Sequence, residues 1–344
     1  MTRSTTAAGA TPIGTSSAGG PMTTTSPPTS STRTPRADTP PSTEAYPLEV
    51  EHVTKRYGAL TVVDDLSFTV PPGRVTGFLG PNGSGKSTTM KIMLDLAAAN
   101  HGRVTIGGHR YRELPDPART VGAMIESDAF HPGRSGRNHL RILADATGID
   151  HRRVDELLEQ VGLADAANRR VGAYSLGMRQ RLGLAAALMG EPPVLILDEP
   201  GNGLDPQGIR TLRDLLRGHA AHGGTVFVSS HLLSEVEHLA DDVIVINRGR
   251  LVTHGSLAEL QQSASLVRTV GPVRLAIELE RAGATTQTQG PDGLIVRGMP
   301  IDEIGERAFT AGIALHELSP HAGSLEELFL NWTSDPSNDE KGDS

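Results

Sequence analysis

Apolar and polar residues alternate or cluster along this sequence in a way that predicts strands and helices in a mixed order. Leu48–Val53 alternates apolar and polar residues, which is the period of a strand with one buried face. Val194–Leu197 is continuously apolar, as is typical of a strand buried on both faces of a parallel sheet. Val75–Leu79 and Thr225–Ser230 are interpreted as further strands of that sheet. The pattern predicts an α/β fold with a parallel core sheet, preceded by an antiparallel β subdomain.

The same pattern divides the chain into four parts. Residues 1–45 are rich in Thr, Ser and Pro and lack periodicity, so we expect a disordered tail. Residues 46–262 form the main predicted domain, with a helical insert at about 127–180. A small α/β appendage is expected over 263–334, and an acidic tail over 335–344.

The appendage repeats short strand and helix patterns without a group of residues suited to catalysis. Leu294–Val296 is interpreted as a strand and Ile301–Ala311 as a helix, with Ile304 and Phe309 directed inward. Structural support is favoured over regulation of the main domain as the role of this part.

Composition limits the classes of function. The 344 residues contain no cysteine, so disulfides, thiol nucleophiles and Cys-bound zinc are excluded, and this usage is compatible with the cytosol. A formal net charge of −8 gives no overall attraction to nucleic acid. The sequence has neither an apolar run of about 18 residues nor an apolar signal core, so any membrane role is expected to come from a partner.

One loop carries a recognisable phosphate-binding pattern between a predicted strand and a predicted helix. It fits G-x-x-x-x-G-K-[ST] and consists of Gly80, Pro81, Asn82, Gly83, Ser84, Gly85, Lys86, Ser87 and Thr88. Glycines let backbone N–H groups converge on phosphates, and the following helix presents its positive end. We expect Lys86 to reach the β- and γ-phosphates and Ser87 to bind Mg²⁺. Kinases, GTPases and motor ATPases all use such a loop.

Two acidic residues and a histidine follow the buried strands of the predicted sheet. Asp198 and Glu199 come directly after Val194–Leu197, and His231 comes after Thr225–Ser230. Carboxylates at the carboxyl edge of a buried strand are costly unless they serve a function. Beside a phosphate loop, Asp198 would organise Mg²⁺, and Glu199 would orient and activate the attacking water.

Two further features have both a structural and a functional interpretation. Ser175 is a good N-cap for a helix that continues to Met189, and Gly177 removes side-chain bulk from its first turn. Taken on its own, this stretch is better explained as an ordinary capped helix. Tyr57 either stacks on a base or packs at the end of a strand.

Taken together, these motifs resemble the ATP-binding subunit of an ATP-binding-cassette (ABC) transporter over roughly residues 47–262. The phosphate loop, Ser175–Arg181, Leu197–Pro200, Gly203–Pro206 and Ser229–His231 occur in the order of that family. The resemblance implies a P-loop NTPase fold and ATP and Mg²⁺ as ligands.

The resemblance also implies roles for individual residues. Tyr57 matches the aromatic residue that stacks on adenine, and His231 matches the residue that clamps the γ-phosphate and water. Ser175 and Gly177 match the signature motif, which in the family touches ATP bound to the opposite subunit. Asp205 matches the loop between the two sites. A dimer docked on separate transmembrane permease subunits is implied, most simply a homodimer.

Three parts of the sequence depart from the family pattern. The usual Leu-Ser-Gly-Gly-Gln is replaced by Tyr-Ser-Leu-Gly-Met at 174–178, which resembles the branch that serves drug and peptide-antibiotic exporters. Glu126 stands where Gln is usual, as in the bacitracin- and lantibiotic-resistance branch. Its carboxylate either binds Mg²⁺ or only touches the membrane partner. Gly201 replaces the usual Thr or Ser.

The leading hypothesis is therefore an ATPase that powers an exporter of a drug, peptide antibiotic or other amphipathic compound. We expect it in the cytoplasm, peripheral on the inner face of the cell membrane through its permease. A soluble ABC ATPase of another process and an importer ATPase are the alternatives. The sequence contains no Asn-Lys-x-Asp motif, which weighs against a GTPase.

Overall fold

The computed structural model describes residues 45–125, 130–262, 264–321, 325–326 and 328–329. The tails expected at 1–45 and 335–344 therefore lie outside the described residues, apart from Ala45. Glu126 also lies outside them.

Strands account for much of the described chain. They are β1 (Leu48–Tyr57), β2 (Leu60–Val70), β3 (Val75–Leu79), β4 (His101–Ile106), β5 (Val121–Met124), β6 (Val194–Leu197), β7 (Thr225–Ser230), β8 (Asp242–Asn247), β9 (Arg250–Ser256), β10 (Ala264–Thr269), β11 (Thr285–Gln289), β12 (Gly293–Arg297) and β13 (Leu315–His321).

The helices lie between these strands in the chain order. They are α1 (Lys86–Met93), α2 (Pro117–Thr120), α3 (Gly136–Thr147), α4 (Arg152–Gln160), α5 (Leu176–Ala187), α6 (Pro206–Ala221), α7 (Leu233–Leu239), α8 (Leu257–Gln262), α9 (Pro272–Arg281) and α10 (Ile301–Thr310). Among the described residues, no helix combines the length and the apolar character needed to cross a membrane.

The central sheet has the strand order β5-β6-β7-β3-β8-β9 and confirms the predicted parallel core. Its first five strands are parallel, and β9 pairs antiparallel with β8 at one edge. All residues of β3, β6 and β7 are buried, which explains their low content of charged residues. Because β6, β7 and β3 are neighbours, their carboxyl ends lie side by side at one edge of the sheet.

A second, antiparallel sheet with the order β2-β1-β4 confirms the predicted N-terminal β subdomain. Three phenylalanine rings join it to the central sheet: Phe68 on β2, Phe78 on β3 and Phe227 on β7. The ring centroids of Phe78 and Phe227 are 4.9 Å apart, and Phe68 lies 5.6 and 5.8 Å from them. Such buried aromatic contacts add to the burial energy of the individual rings. The contact of Phe78 with Phe227 packs β3, which leads into the phosphate loop, against β7.

Helices α3, α4 and α5 form most of the segment between β5 and β6. Within the predicted helical insert, α3 and α4 are separate helices, because Gly148 takes a left-handed conformation with φ of 65° and ends α3. Leu140, Leu157 and Leu182, one from each helix, are fully buried in a shared core. This core supports α5, whose first turn carries the predicted signature residues.

The C-terminal segment forms a four-stranded antiparallel sheet with the order β11-β12-β10-β13. Its chain order is β-α-β-β-α-β, the split βαβ arrangement of ferredoxin-like folds. Leu275 of α9 and Ile304 of α10 pack in one core with Leu294 of β12. The α/β character expected for this segment is therefore present in the structure.

The inward orientation expected for Phe309 is wrong. Ile304 is fully buried, whereas Phe309 is 87% exposed. Residues four apart share a helix face, and Ala308 is the residue that packs beside Ile304. Phe309 is five residues from Ile304 and therefore projects from a different side of α10.

Candidate active site

The loop between β3 and α1 has the geometry of an anion-binding site. Gly85 is the N-cap of α1, with φ of 106°, and no side chain caps the helix. The first turn of α1 also contains no acidic residue. A β-carbon at Gly80 would lie 2.4 Å from Ser84 Oγ and 2.5 Å from Ile246 O, so only glycine fits there. The positive end of α1 is therefore left available to phosphate groups.

Lys86 is a buried cation inside this loop, with 7% of its surface exposed. Its Nζ donates hydrogen bonds to Gly80 O at 2.7 Å and to Pro81 O at 3.3 Å. Burial lowers the pKa of Lys86, while the negative charges of Glu199 and Asp198 act to raise it. The lysine thus lies within electrostatic reach of both carboxylates that follow β6.

Asp198 is held by the strands on either side of β6. Its backbone N–H donates to Met124 O of β5 at 2.7 Å. Its side chain Oδ1 accepts a hydrogen bond of 2.5 Å from Ser229 Oγ, at the end of β7. These contacts place the carboxylate at the carboxyl edge of the sheet, as predicted.

Glu199 and His231 form a close pair at the same edge. Glu199 Oε2 lies 2.5 Å from His231 Nδ1 and accepts the backbone N–H of His231 at 3.3 Å. The backbone of Glu199 is left-handed, with φ of 50°, which is uncommon for a residue other than glycine. A carboxylate oriented by an imidazole beside a phosphate loop is suited to accept a proton from water.

Ser175, Gly177 and Asp205 belong to a second group of residues. Ser175 caps α5, as predicted, by accepting the backbone N–H of Met178 at 3.2 Å. A β-carbon at Gly177 would lie 2.6 Å from the carbonyl oxygen of Gly203. The start of α5 therefore packs directly on the loop that leads to Asp205.

An ion pair strengthens the same contact. Arg181 of α5 lies 2.7 Å from Asp205 Oδ1, which also accepts the backbone N–H of Gly208 at 2.9 Å. The hydrogen bond from Gly208 and the charge of Arg181 hold the pKa of Asp205 below its usual value. The signature helix and the loop before α6 thus form one packed unit, and Gln180 Nε2 links it to Glu199 O at 3.4 Å.

Tyr57, Ser87 and Thr88 are further predicted site residues in the part of the chain that the structure describes. Tyr57 is the last residue of β1, is 51% exposed, and has Lys55 Nζ 4.7 Å from its ring centroid. Ser87 is exposed and Thr88 is half-buried in the first turn of α1. The role of Tyr57 in base stacking remains a prediction, as does metal binding by Glu126, which is outside the described residues.

Three contacting residues had no role in the sequence interpretation: Ser229, Arg181 and Glu235. Ser229 and Arg181 lie inside recognised motifs, but their partners are remote in sequence. Glu235 on α7 lies beside Gly201, where a β-carbon would come within 2.7 Å of the flexible end of the Glu235 side chain. Burial raises the pKa of Glu235 above its usual value.

The oxygen atoms present are compatible with Mg²⁺. The Asp198 carboxylate and the Ser87 hydroxyl are hard ligands of the kind that Mg²⁺ prefers. Within the described ranges, no group of three or more His, Cys, Asp or Glu side chains gathers around one point. A cation here would therefore depend largely on phosphate oxygens and water, as Mg²⁺ commonly does.

The contact of Gly177 with Gly203 predicts the effect of a single methyl group. Gly177→Ala should lower the free energy of unfolding by about 1–3 kcal/mol, because the methyl group would meet a backbone carbonyl. Gly218→Ala in α6 is the matched control, since a β-carbon there meets no atom within 4 Å, and it should stabilise by about 0.4–1 kcal/mol. Urea unfolding measures both. Equal stability of the two variants would contradict the packing described.

Comparison with known proteins identifies the family. Residues 63–202 match the family model described as ABC transporter, and residues 263–326 match a domain of unknown function, DUF8746. An uncharacterized ABC transporter ATP-binding protein of Bacillus subtilis, YhcH, is 37% identical over 83% of this chain and 95% of its own length.

Two relatives are named for the compounds that they transport. The bacitracin transport ATP-binding protein BcrA of Enterococcus faecalis is 44% identical over 63% of this chain and 71% of its own length. The lantibiotic transport ATP-binding protein SrtF of Streptococcus pyogenes is 38% identical over 60% of this chain and 89% of its own.

A solved structure shares the fold over most of the chain. It is titled an ATP-binding subunit of an ABC transporter and is 27% identical, with a TM-score of 0.58 over 76% of this chain and 99% of that one. The phosphate loop, the carboxylates after β6 and the similarity to these proteins all indicate the same family. The chain therefore belongs to the ATP-binding proteins of ABC transporters and is an ATPase of that class.

Proposed function

We propose that this chain hydrolyses ATP with Mg²⁺ to power a membrane exporter of a drug, peptide antibiotic or other amphipathic compound. The observation that carries the proposal is the meeting of Lys86, Asp198, Glu199 and His231 at one sheet edge. The strand order supports it, since the segments after β3, β6 and β7 are neighbours there.

Each residue of this group has a distinct task in the proposed reaction. Lys86 and the N-terminus of α1 bind the β- and γ-phosphates and favour the charge that develops on the transferred group. Glu199 accepts a proton from the attacking water, and His231 holds that carboxylate in position. Asp198 and Ser87 would hold Mg²⁺, which neutralises phosphate charge when bound.

Ser175 and Gly177 are proposed to complete the site of a second copy of the chain. Ser175 is exposed at the start of α5, and its neighbour Leu176 is 38% exposed. Asp205 is joined to the same helix by its ion pair with Arg181. The exposed turn is therefore accessible to nucleotide held by another copy.

Transport and its substrate class are proposed from the relatives and from the sequence branch. The names of BcrA and SrtF state transport of bacitracin and of a lantibiotic. Separate permease subunits would provide the membrane path and the substrate specificity. The chain would then lie on the inner face of the cell membrane through that partner.

Replacement of the proposed base tests the reaction. Glu199→Gln should lower the turnover number by about 10²-fold or more while leaving ATP affinity nearly unchanged, because the phosphate and Mg²⁺ contacts remain. The ATP-bound form should accumulate as a dimer, which size-exclusion chromatography with ATP detects. Glu159→Gln, at an exposed position on α4, should behave as wild type. Near-normal turnover in Glu199→Gln would remove Glu199 from its assigned role.

A cellular measurement tests export. Cells that lack the chain should have lower minimum inhibitory concentrations for bacitracin, a lantibiotic or an amphipathic drug. Glu159→Gln should restore resistance and Glu199→Gln should not. Unchanged resistance to all three classes, together with normal ATPase activity of the purified chain, would favour an importer or a non-transport ATPase.

A further inference from the structure

The hydroxyl group of Ser229 joins the ends of β6 and β7 through two hydrogen bonds. Ser229 is fully buried, and its Oγ lies 2.5 Å from Asp198 Oδ1 and 2.9 Å from the backbone nitrogen of Glu199. One serine therefore contacts the side chain of the proposed metal ligand and the backbone of the proposed base. These two bonds connect residues about 30 positions apart in sequence.

The direction of both hydrogen bonds follows from the groups involved. The backbone N–H of Glu199 can only donate, so Ser229 Oγ must accept in that contact. The single hydroxyl proton of Ser229 is then free to be donated to Asp198 Oδ1. This bond is made to Oδ1 of the Asp198 carboxylate and not to Oδ2. It therefore orients the carboxylate group of Asp198.

The bond to Glu199 acts on an unusual backbone conformation. The φ of 50° at Glu199 lies in the left-handed region, where a β-carbon is unfavourable. Such a conformation persists where the surroundings fix it, and here Ser229 accepts the N–H of the residue while His231 contacts its carboxylate. Ser229 lies near the end of β7 and His231 directly follows that strand. The end of β7 therefore holds both the backbone and the carboxylate of Glu199.

We propose that Ser229 is a positioning residue that sets the orientation of Asp198 toward Mg²⁺ and of Glu199 toward the attacking water. This inference rests on the proposed function of those two carboxylates. Ser229 itself touches neither nucleotide nor water in the proposed reaction. Ser229 acts by hydrogen bonding to a metal ligand. Loss of such a hydrogen-bond partner typically weakens metal binding or activity by about 10–100-fold.

The test compares three replacements at 229 with a control on the same strand. Ser229→Ala removes both hydrogen bonds, and Ser229→Cys keeps the side-chain size with a weaker donor. Ser229→Thr keeps the hydroxyl. Thr225→Val is the matched control, because Thr225 is also fully buried on β7 but its hydroxyl donates to Tyr46 O, at the other end of the strand.

Nucleotide binding measured by calorimetry at increasing Mg²⁺ gives a readout that does not depend on turnover. Ser229→Ala should bind ATP without Mg²⁺ as wild type does. It should need about tenfold more Mg²⁺ for the same gain in affinity, and its turnover number should fall about tenfold or more with little change in KM. Ser229→Thr should recover both properties. Thr225→Val should lower the melting temperature without changing either.

The outcomes separate failure of this inference from failure of the proposed function. If wild type neither binds nor hydrolyses ATP, the proposed function fails. If wild type is active and Ser229→Ala differs from it only in melting temperature, as Thr225→Val does, then Ser229 is structural and the inference is overturned. Should the alanine variant not fold, the cysteine variant decides between the same two results.

Discussion

The adjacency of β6 and β7 is the constraint on which the site depends. Because these strands are parallel and in direct register, the residues that follow them leave the sheet at the same edge. The hydrogen bonds of Ser229 and His231 to Asp198 and Glu199 can form only in that arrangement. The neighbouring β3 adds Lys86 through the phosphate loop. A cation, two carboxylates and an imidazole are thereby assembled from three remote parts of the sequence.

The packing around this edge explains why its polar groups are tolerated. Buried apolar residues of the strands, among them the rings of Phe68, Phe78 and Phe227, form the interior behind it. Polar groups that are removed from water require partners, and Lys86 and Asp198 have them within hydrogen-bonding distance. The second group, around α5 and Asp205, is linked to the first through Gln180.

Much of the fold and of the candidate site could be predicted from the sequence, because the sequence patterns that indicate them are local. The continuous apolar run of β6 and the glycines of the phosphate loop reflect burial and backbone conformation, which neighbouring residues determine. The role of Ser229 could not be found in that way, because a serine at a strand end is common and its partners lie on another strand. Phe309 was misplaced because apolar character alone does not define a helix face.

In the proposed dimer, a working site combines the Lys86 group of one chain with Ser175 and Gly177 of another. Mixing two inactive variants, Lys86→Ala and Ser175→Arg, tests it most directly. In a twofold dimer each mixed pair contains one intact site, so an equal mixture should recover about a quarter of the wild-type ATPase rate. Lys86→Ala mixed with Glu199→Gln should recover nothing, because both residues serve the same site from one chain. An equal mixture of the first pair that stays as inactive as its components would contradict the account.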